Sequence, residues 1–139
     1  MSPLDLQLIN RKAKLIEDDL KLLAEDKPKS YSEYLKNIRV QLKVERLLER
    51  IIGRVIDINY HILSEEYQIV PSEYHESFIL LGKKGVIPKK LSEKLAKSAG
   101  LRNILAHEYD EINPKQVYQS INITLTQVPE YLKAILDKL

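Results

Sequence analysis

The chain is 139 residues long, 44% hydrophobic and 30% charged, with a formal net charge of +2 at pH 7. That length suits one globular domain spanning residues 1–139, burying roughly 68–70% of its unfolded surface, and the composition excludes a disordered tail. The absence of cysteine excludes a disulfide framework, a thiol nucleophile and a cysteine-ligated zinc site.

Asp5, Arg11 and Lys12 interrupt any leading apolar stretch, and no run of about 18 apolar residues occurs. Neither a secretory leader nor a membrane span is expected, and the expected compartment is the cytoplasm. Only four glycines and six prolines accompany abundant Leu, Ile, Lys and Glu, which argues for helices.

The first predicted helix runs from about Pro3 to Glu25, with Ile9, Ala13, Ile16, Leu20 and Leu23 on one face. Lys27-Pro28-Lys29-Ser30 ends it, and Ser30 or Ser32 can cap the next. This second helix, about Tyr31 to Leu63, carries the strongest periodicity in the chain. Val44, Leu48, Ile51, Val55, Ile58 and Ile62 form its stripe, and Leu47, Ile52, Ile56 and Leu63 widen the apolar face. So wide a face predicts two neighbours, the bundle and a second subunit, and a helix about 50 Å long is a candidate dimerisation element. A third helix is expected from about Ser72 to Leu81, ending in Gly82-Lys83-Lys84-Gly85. Pro88 opens a fourth, with Leu91, Leu95, Ala99 and Ala106 on one face. Asn113-Pro114 opens the last, striped by Val117, Ile121, Leu125, Val128, Leu132, Ile135 and Leu139, and Pro129 should kink or restart it. The expected fold is all-α, an up-and-down bundle of about five helices.

One segment concentrates reactive groups: Arg102-Asn103-Ile104-Leu105-Ala106-His107-Glu108-Tyr109. Arg102 falls on the inward stripe of the fourth helix, between Leu95 and Ala106. A guanidinium there is costly unless it is bonded to a carboxylate or helix-end carbonyls, or faces a wet cleft. His107 and Tyr109 close by favour the cleft. With an RNA phosphodiester as substrate, an imidazole titrating near neutrality serves as base or acid. The planar guanidinium matches phosphate oxygens and stays charged. This scheme calls for no cofactor and no metal ion, and no His-Glu-x-x-His pattern surrounds His107. One His cannot stand on both sides of an in-line displacement, so two motifs facing each other across a dimer are expected. In an unbroken helix Arg102 and His107 lie about 140° apart, so convergence requires the helix to end near His107, or Arg102 to reach across the interface.

Arg102, Asn103, His107 and Tyr109 resemble the Arg-polar-x-x-x-His-x-Tyr motif of the HEPN superfamily, most closely that of HepT-type toxins. The resemblance extends to Asp57-Ile58-Asn59-Tyr60-His61-Ile62-Leu63, to Tyr74–Lys84 before Gly85-Val86-Ile87-Pro88, and to Gly100-Leu101. It implies a HEPN-like homodimer acting as a metal-independent endoribonuclease, with Arg102 and His107 catalytic and Asn103 and Tyr109 supporting. It also implies a cognate MntA-type minimal nucleotidyltransferase antitoxin that transfers adenylate to Tyr109. An added AMP would bring negative charge and bulk beside Arg102 and His107. Glu108 fills a variable position of the motif, where its carboxylate could lower the cleft's positive potential or orient His107.

Arg39, Lys43, Arg46, Arg50 and Arg54 share an arc of about 80° on the long helix, either a track for RNA or an acidic partner, or a solvated face. His61 near Asp57 reads as a surface histidine paired with a carboxylate. Lys83, Lys84, Lys89 and Lys90 form a basic loop. Tyr31, Tyr34, Tyr60, Tyr67 and Tyr118 read as half-buried packing residues. Two other functions fit the same motif: a non-catalytic nucleotide- or substrate-binding partner of a nucleotidyltransferase, or a structural helical subunit.

Overall fold

The structure, a computed structural model, describes residues 4–139. Asp5 caps the first helix, α1 (Leu6–Asp26), by accepting from the Leu8 amide at 3.0 Å. The expected start at Pro3 lies outside the described residues. Ser30 caps a one-and-a-half-turn helix, α2 (Tyr31–Lys36), which ends at Asn37. Asn37 adopts φ −124°, ψ 92°, and its side chain accepts from the Val40 amide at 3.1 Å. It therefore starts a new helix, α3 (Ile38–Tyr67), where an uninterrupted one was expected. An asparagine side chain offers the backbone a local partner that competes with helix propagation.

At 30 residues α3 is about 45 Å long and forms the axis of the fold. It packs against α1, against α4 (Tyr74–Lys83), against α6 (Ser98–His107) and against α7 (Pro114–Lys138). All ten stripe and flank residues named above, from Val44 to Leu63, are buried by these neighbours. The wide apolar face is thus covered within the chain itself and is not left for a second subunit.

The expected fourth helix divides into α5 (Lys89–Ala96) and α6 at Lys97. There the Lys97 amide bonds the Lys94 carbonyl three residues back, and the Ser98 hydroxyl donates to the Leu95 carbonyl at 2.6 Å. This tightening rephases the chain. Ala99, Leu101 and Leu105 are buried on α6, whereas Ala106, expected on the inner stripe, is only partly covered. Asn113 caps α7 by accepting from Lys115 and Gln116, and the helix runs through Pro129 without restarting. Among the described residues the architecture is seven α-helices and one 3-10 turn, with no strand.

Two side chains depart from their expected roles. Tyr34 is fully buried rather than half-buried, and burial pushes its hydroxyl's pKa well up. The His61 Nε2 accepts the Asp5 amide at 3.0 Å, tying the start of α1 to α3, while Asp57 pairs instead with Lys12 at 2.8 Å. No described helix is long and apolar enough to cross a membrane.

Candidate active site

Helix α6 carries the motif and stops at His107. The Glu108 amide bonds the Ile104 carbonyl at 2.9 Å, and Glu108 then leaves helical geometry at φ −129°, ψ 48°. Tyr109 opens a 3-10 turn (Tyr109–Glu111) and is 71% exposed. His107 and Tyr109 therefore project from the free end of a helix, the former as its last residue. The helix ends at the expected place, but because His107 is still helical it does not meet Arg102 within one chain.

Arg102 sits one and a half turns back, half-buried where α6 crosses α3. Its guanidinium carbon lies 5.4 Å from the centroid of the Tyr74 ring, an arrangement that favours a cation. Tyr60 meets Tyr74 edge-on, with centroids 5.9 Å apart and planes at 82°. No ion pair among the described residues involves Arg102, and its Nε is sealed from solvent without an acceptor. Neither the carboxylate nor the helix-end carbonyls of a purely structural arginine are there. A buried donor with no partner is rare in a folded protein and requires an explanation.

Arg102 lines a pocket of about 280 Å³ together with Gly53, Ile56, Asp57, Tyr60 and Tyr74. Gly53, Ile56, Asp57 and Tyr60 recur on one face of α3, so helical periodicity alone brings four of the walls together. A Cβ at Gly53 would stand 3.8 Å from the Arg102 Nε, an ordinary contact. Asn103, one residue on, opens into a separate cleft of about 730 Å³ lined by Ser72, Glu73, Tyr74, His75, Lys97 and Gly100, among others. Tyr74 separates the two cavities.

A buried polar chain fixes Tyr74 from behind. The Tyr131 hydroxyl donates to Asn59 Oδ1 at 2.5 Å, the Asn59 amide to Ser77 Oγ at 3.1 Å, and the Ser77 hydroxyl to the Tyr74 carbonyl at 2.7 Å. Linked buried groups of this kind select a single arrangement of the helices that carry them. Here they join α7, α3 and α4. Burial raises the pKa of the Tyr60 hydroxyl, and the nearby Tyr74, Glu76 and Glu73 add to the effect, so it stays a proton donor at neutral pH.

The five basic residues of α3 are not equivalent. Arg50 Nε and Arg54 Nη1 close on Asp19 of α1 at 3.1 and 2.8 Å. Lys43 reaches Asp26 at 3.7 Å and Arg46 reaches Glu49 at 3.3 Å, both with exposed cations, whereas Arg39 enters no ion pair among the described residues. Arg50 and Arg54 thus hold α1 to α3, and Arg39, Lys43 and Arg46 remain on the surface. Lys84 lies 5.4 Å from the Tyr67 ring centroid. Among the described residues no three His, Asp or Glu side chains gather as they would around a metal ion.

Within one chain the four motif residues do not share a cavity. Arg102 faces one pocket, Asn103 another, and His107 and Tyr109 line neither. The pocket's other walls escaped sequence reasoning. The i, i+4, i+7 spacing of Gly53, Asp57 and Tyr60 was there to be read, but Tyr74 joins them only through the packing of α4 on α3.

Residues 13–135 match the family described as HepT-like, "Ribonuclease HepT-like". The chain is 38% identical over 135 residues to the tRNA nuclease HepT of Aphanizomenon flos-aquae, spanning 97% of this chain and 92% of that protein. It is 31% identical over 104 residues to the mRNA nuclease HepT of Shewanella oneidensis, spanning 75% and 78%. The fold superposes with a TM-score of 0.84 on the tri-AMPylated Shewanella oneidensis HEPN toxin, solved in complex with its MNT antitoxin, at 28% identity over 94% of this chain and 97% of that one. With the family match spanning most of the chain, and with the helical bundle and motif in place, this protein belongs to the HepT-like ribonuclease family.

Proposed function

We propose that this protein is an endoribonuclease toxin that cleaves RNA through attack by a ribose 2′-hydroxyl, using side chains alone and no metal ion, in a cleft completed by a second copy of the chain. The observation that carries this reading is the combination on α6: a helix ending at His107 and, one and a half turns before it, an Arg102 guanidinium in no ion pair among the described residues, with a buried Nε that lacks an acceptor. Two relatives named as nucleases of transfer and messenger RNA support RNA as the substrate class.

In this scheme His107 takes the 2′-hydroxyl proton as O2′ attacks phosphorus. The P–O5′ bond breaks, and the departing O5′ accepts a proton from His107 of the partner subunit. The products are a 2′,3′-cyclic phosphate and a 5′-hydroxyl end. Arg102 stabilises the charge that builds on the phosphorane oxygens, held ready by the Tyr74 ring. Asn103 offers an amide from the neighbouring cleft. Purified protein in EDTA should cut single-stranded or transfer RNA to cyclic-phosphate ends, and Arg102→Ala or His107→Ala should each slow cleavage by about 10²-fold or more. Full activity in the double variant would refute the catalytic assignment.

The exposed Tyr109 hydroxyl is the group that a cognate nucleotidyltransferase antitoxin would modify. Its oxygen attacks the α-phosphorus of ATP, pyrophosphate departs, the phenolic proton is released, and AMP stays on the protein. The solved AMPylated relative in complex with its antitoxin supports this reading. Incubation with the antitoxin and ATP should add adenylate mass to the peptide containing Tyr109. Suppressed cleavage with that mass unchanged would mean neutralisation by binding alone.

A further inference from the structure

The pocket beside Arg102 has more chemistry than a phosphate clamp needs. One wall is aromatic, formed by Tyr74 with Tyr60 against its edge. A second wall carries the Asp57 carboxylate, whose Oδ2 is held by Lys12 at 2.8 Å while more than half of the side chain stays exposed. The third is the Arg102 side chain, in no ion pair among the described residues. At about 280 Å³ the cavity falls just under the roughly 300–1,000 Å³ of sites for drug-sized ligands, which suits a fragment as large as one nucleobase.

Resting on the ribonuclease reading above, we propose that this pocket is a base-selecting subsite, holding the nucleobase beside the cleaved linkage with Asp57 accepting a hydrogen bond from its amino group. Proteins that read single-stranded RNA commonly place a splayed base against aromatic or guanidinium planes and bond its edge. A carboxylate accepts only, so it matches the amino groups of adenine, cytosine or guanine. Uracil has no amino group; its only edge donor is the N3–H between two carbonyls, so it fits this acceptor less well. The Lys12 bridge matters here because it fixes one carboxylate oxygen and so aims the other. The protonated Tyr60 hydroxyl, one turn along α3 from Asp57, adds a donor to the same edge. Gly53 keeps the floor open, since any large side chain there would fill the cavity.

Two measurements test this. A random-sequence RNA pool is cut with the wild-type protein and with Asp57→Asn, and all new ends are sequenced. The wild type should discriminate against uracil at one position flanking the cut by about tenfold, the size of one good base contact. Asp57→Asn should flatten that bias while still cutting, because an amide both donates and accepts; loss of only an exposed ion pair leaves the fold intact. A flat wild-type pattern, or a bias unchanged by Asp57→Asn, overturns the subsite and leaves the ribonuclease reading standing. A wild type that cuts none of the pool overturns the ribonuclease reading. Independently of cleavage, titration with AMP, CMP, GMP and UMP should shift the Gly53 and Asp57 amide resonances of the intact protein, with UMP about tenfold weaker than the others. Equal shifts for all four overturn the selection by Asp57. A response to AMP alone, with a flat cleavage pattern, assigns the pocket to the adenine of an added nucleotide instead of RNA.

Discussion

Asp19 is a carboxylate with 2% of its surface exposed, held between Arg50 and Arg54 of the neighbouring helix. A buried charge that loses its partner is left without solvation, so Arg54→Ala should lower the free energy of unfolding by about 3 kcal/mol, the low end for a broken buried pair, since Arg50 remains. Arg39→Ala touches no such pair and should stay within about 0.5 kcal/mol in the same urea titration. The five basic residues share one arc in the sequence, yet this pair of variants separates helix-to-helix fastening from surface charge. Equal losses would contradict the division. Glu45 offers a different residue-scale handle. Burial raises its pKa, so the fold disfavours its ionised form. That cost is absent when the carboxyl is protonated in both the folded and unfolded states. It grows as pH rises through the unfolded value and is complete above the raised folded one. Glu45→Gln should therefore raise the melting temperature at pH 7 and leave it unchanged at pH 3, as thermal unfolding at the two pH values would reveal.

Between elements, α4 and α5 meet tightly at Gly82. A Cβ at Gly82 would stand 2.1 Å from the Ser92 hydroxyl oxygen and 2.7 Å from the Ser92 Cβ, and Ser92 is buried with its hydroxyl donating to the Lys89 carbonyl at 2.7 Å. Gly82→Ala should consequently cost about 1–3 kcal/mol through forced displacement of α5, despite alanine's better helix propensity. Stability at or above that of the wild type in chemical denaturation would mean that α5 yields freely. Sequence reading had Gly82 only as part of the helix terminus. The same scale explains the two helix boundaries that differed. Asn37 and Lys97 interrupt periodic segments through a side-chain cap and a tightened turn, which an apolar stripe does not record.

For the whole molecule, the proposed second subunit matters most. The broad apolar face of α3 promised a subunit interface, but α1, α4, α6 and α7 cover it within the chain. On the proposed reading, a shared cleft would be built around the free end of α6, where His107 and Tyr109 lie exposed. If cleavage needs both chains, the rate per chain should fall on dilution through the dimer's dissociation range, in step with the mass measured by light scattering. A constant rate per chain across dissociation would remove the second subunit from the chemistry.

Helical class, the stripes of α1, α3 and α7, Ser30 as one of two candidate caps, the helix start at Asn113-Pro114 and the reactive segment from Arg102 to Tyr109 were legible in the sequence. Each depends on spacing along one helix, and helical geometry turns spacing into position without outside help. What surrounds Arg102 was decided only by tertiary structure. Tyr74 and Gly53 reach it from helices 28 and 49 positions away in the chain, and the polar chain from Tyr131 through Asn59 to Ser77 joins three helices. Which cation finds a carboxylate, and which keeps a donor unmatched, depends on how helices cross, and no periodicity within a single helix carries that information.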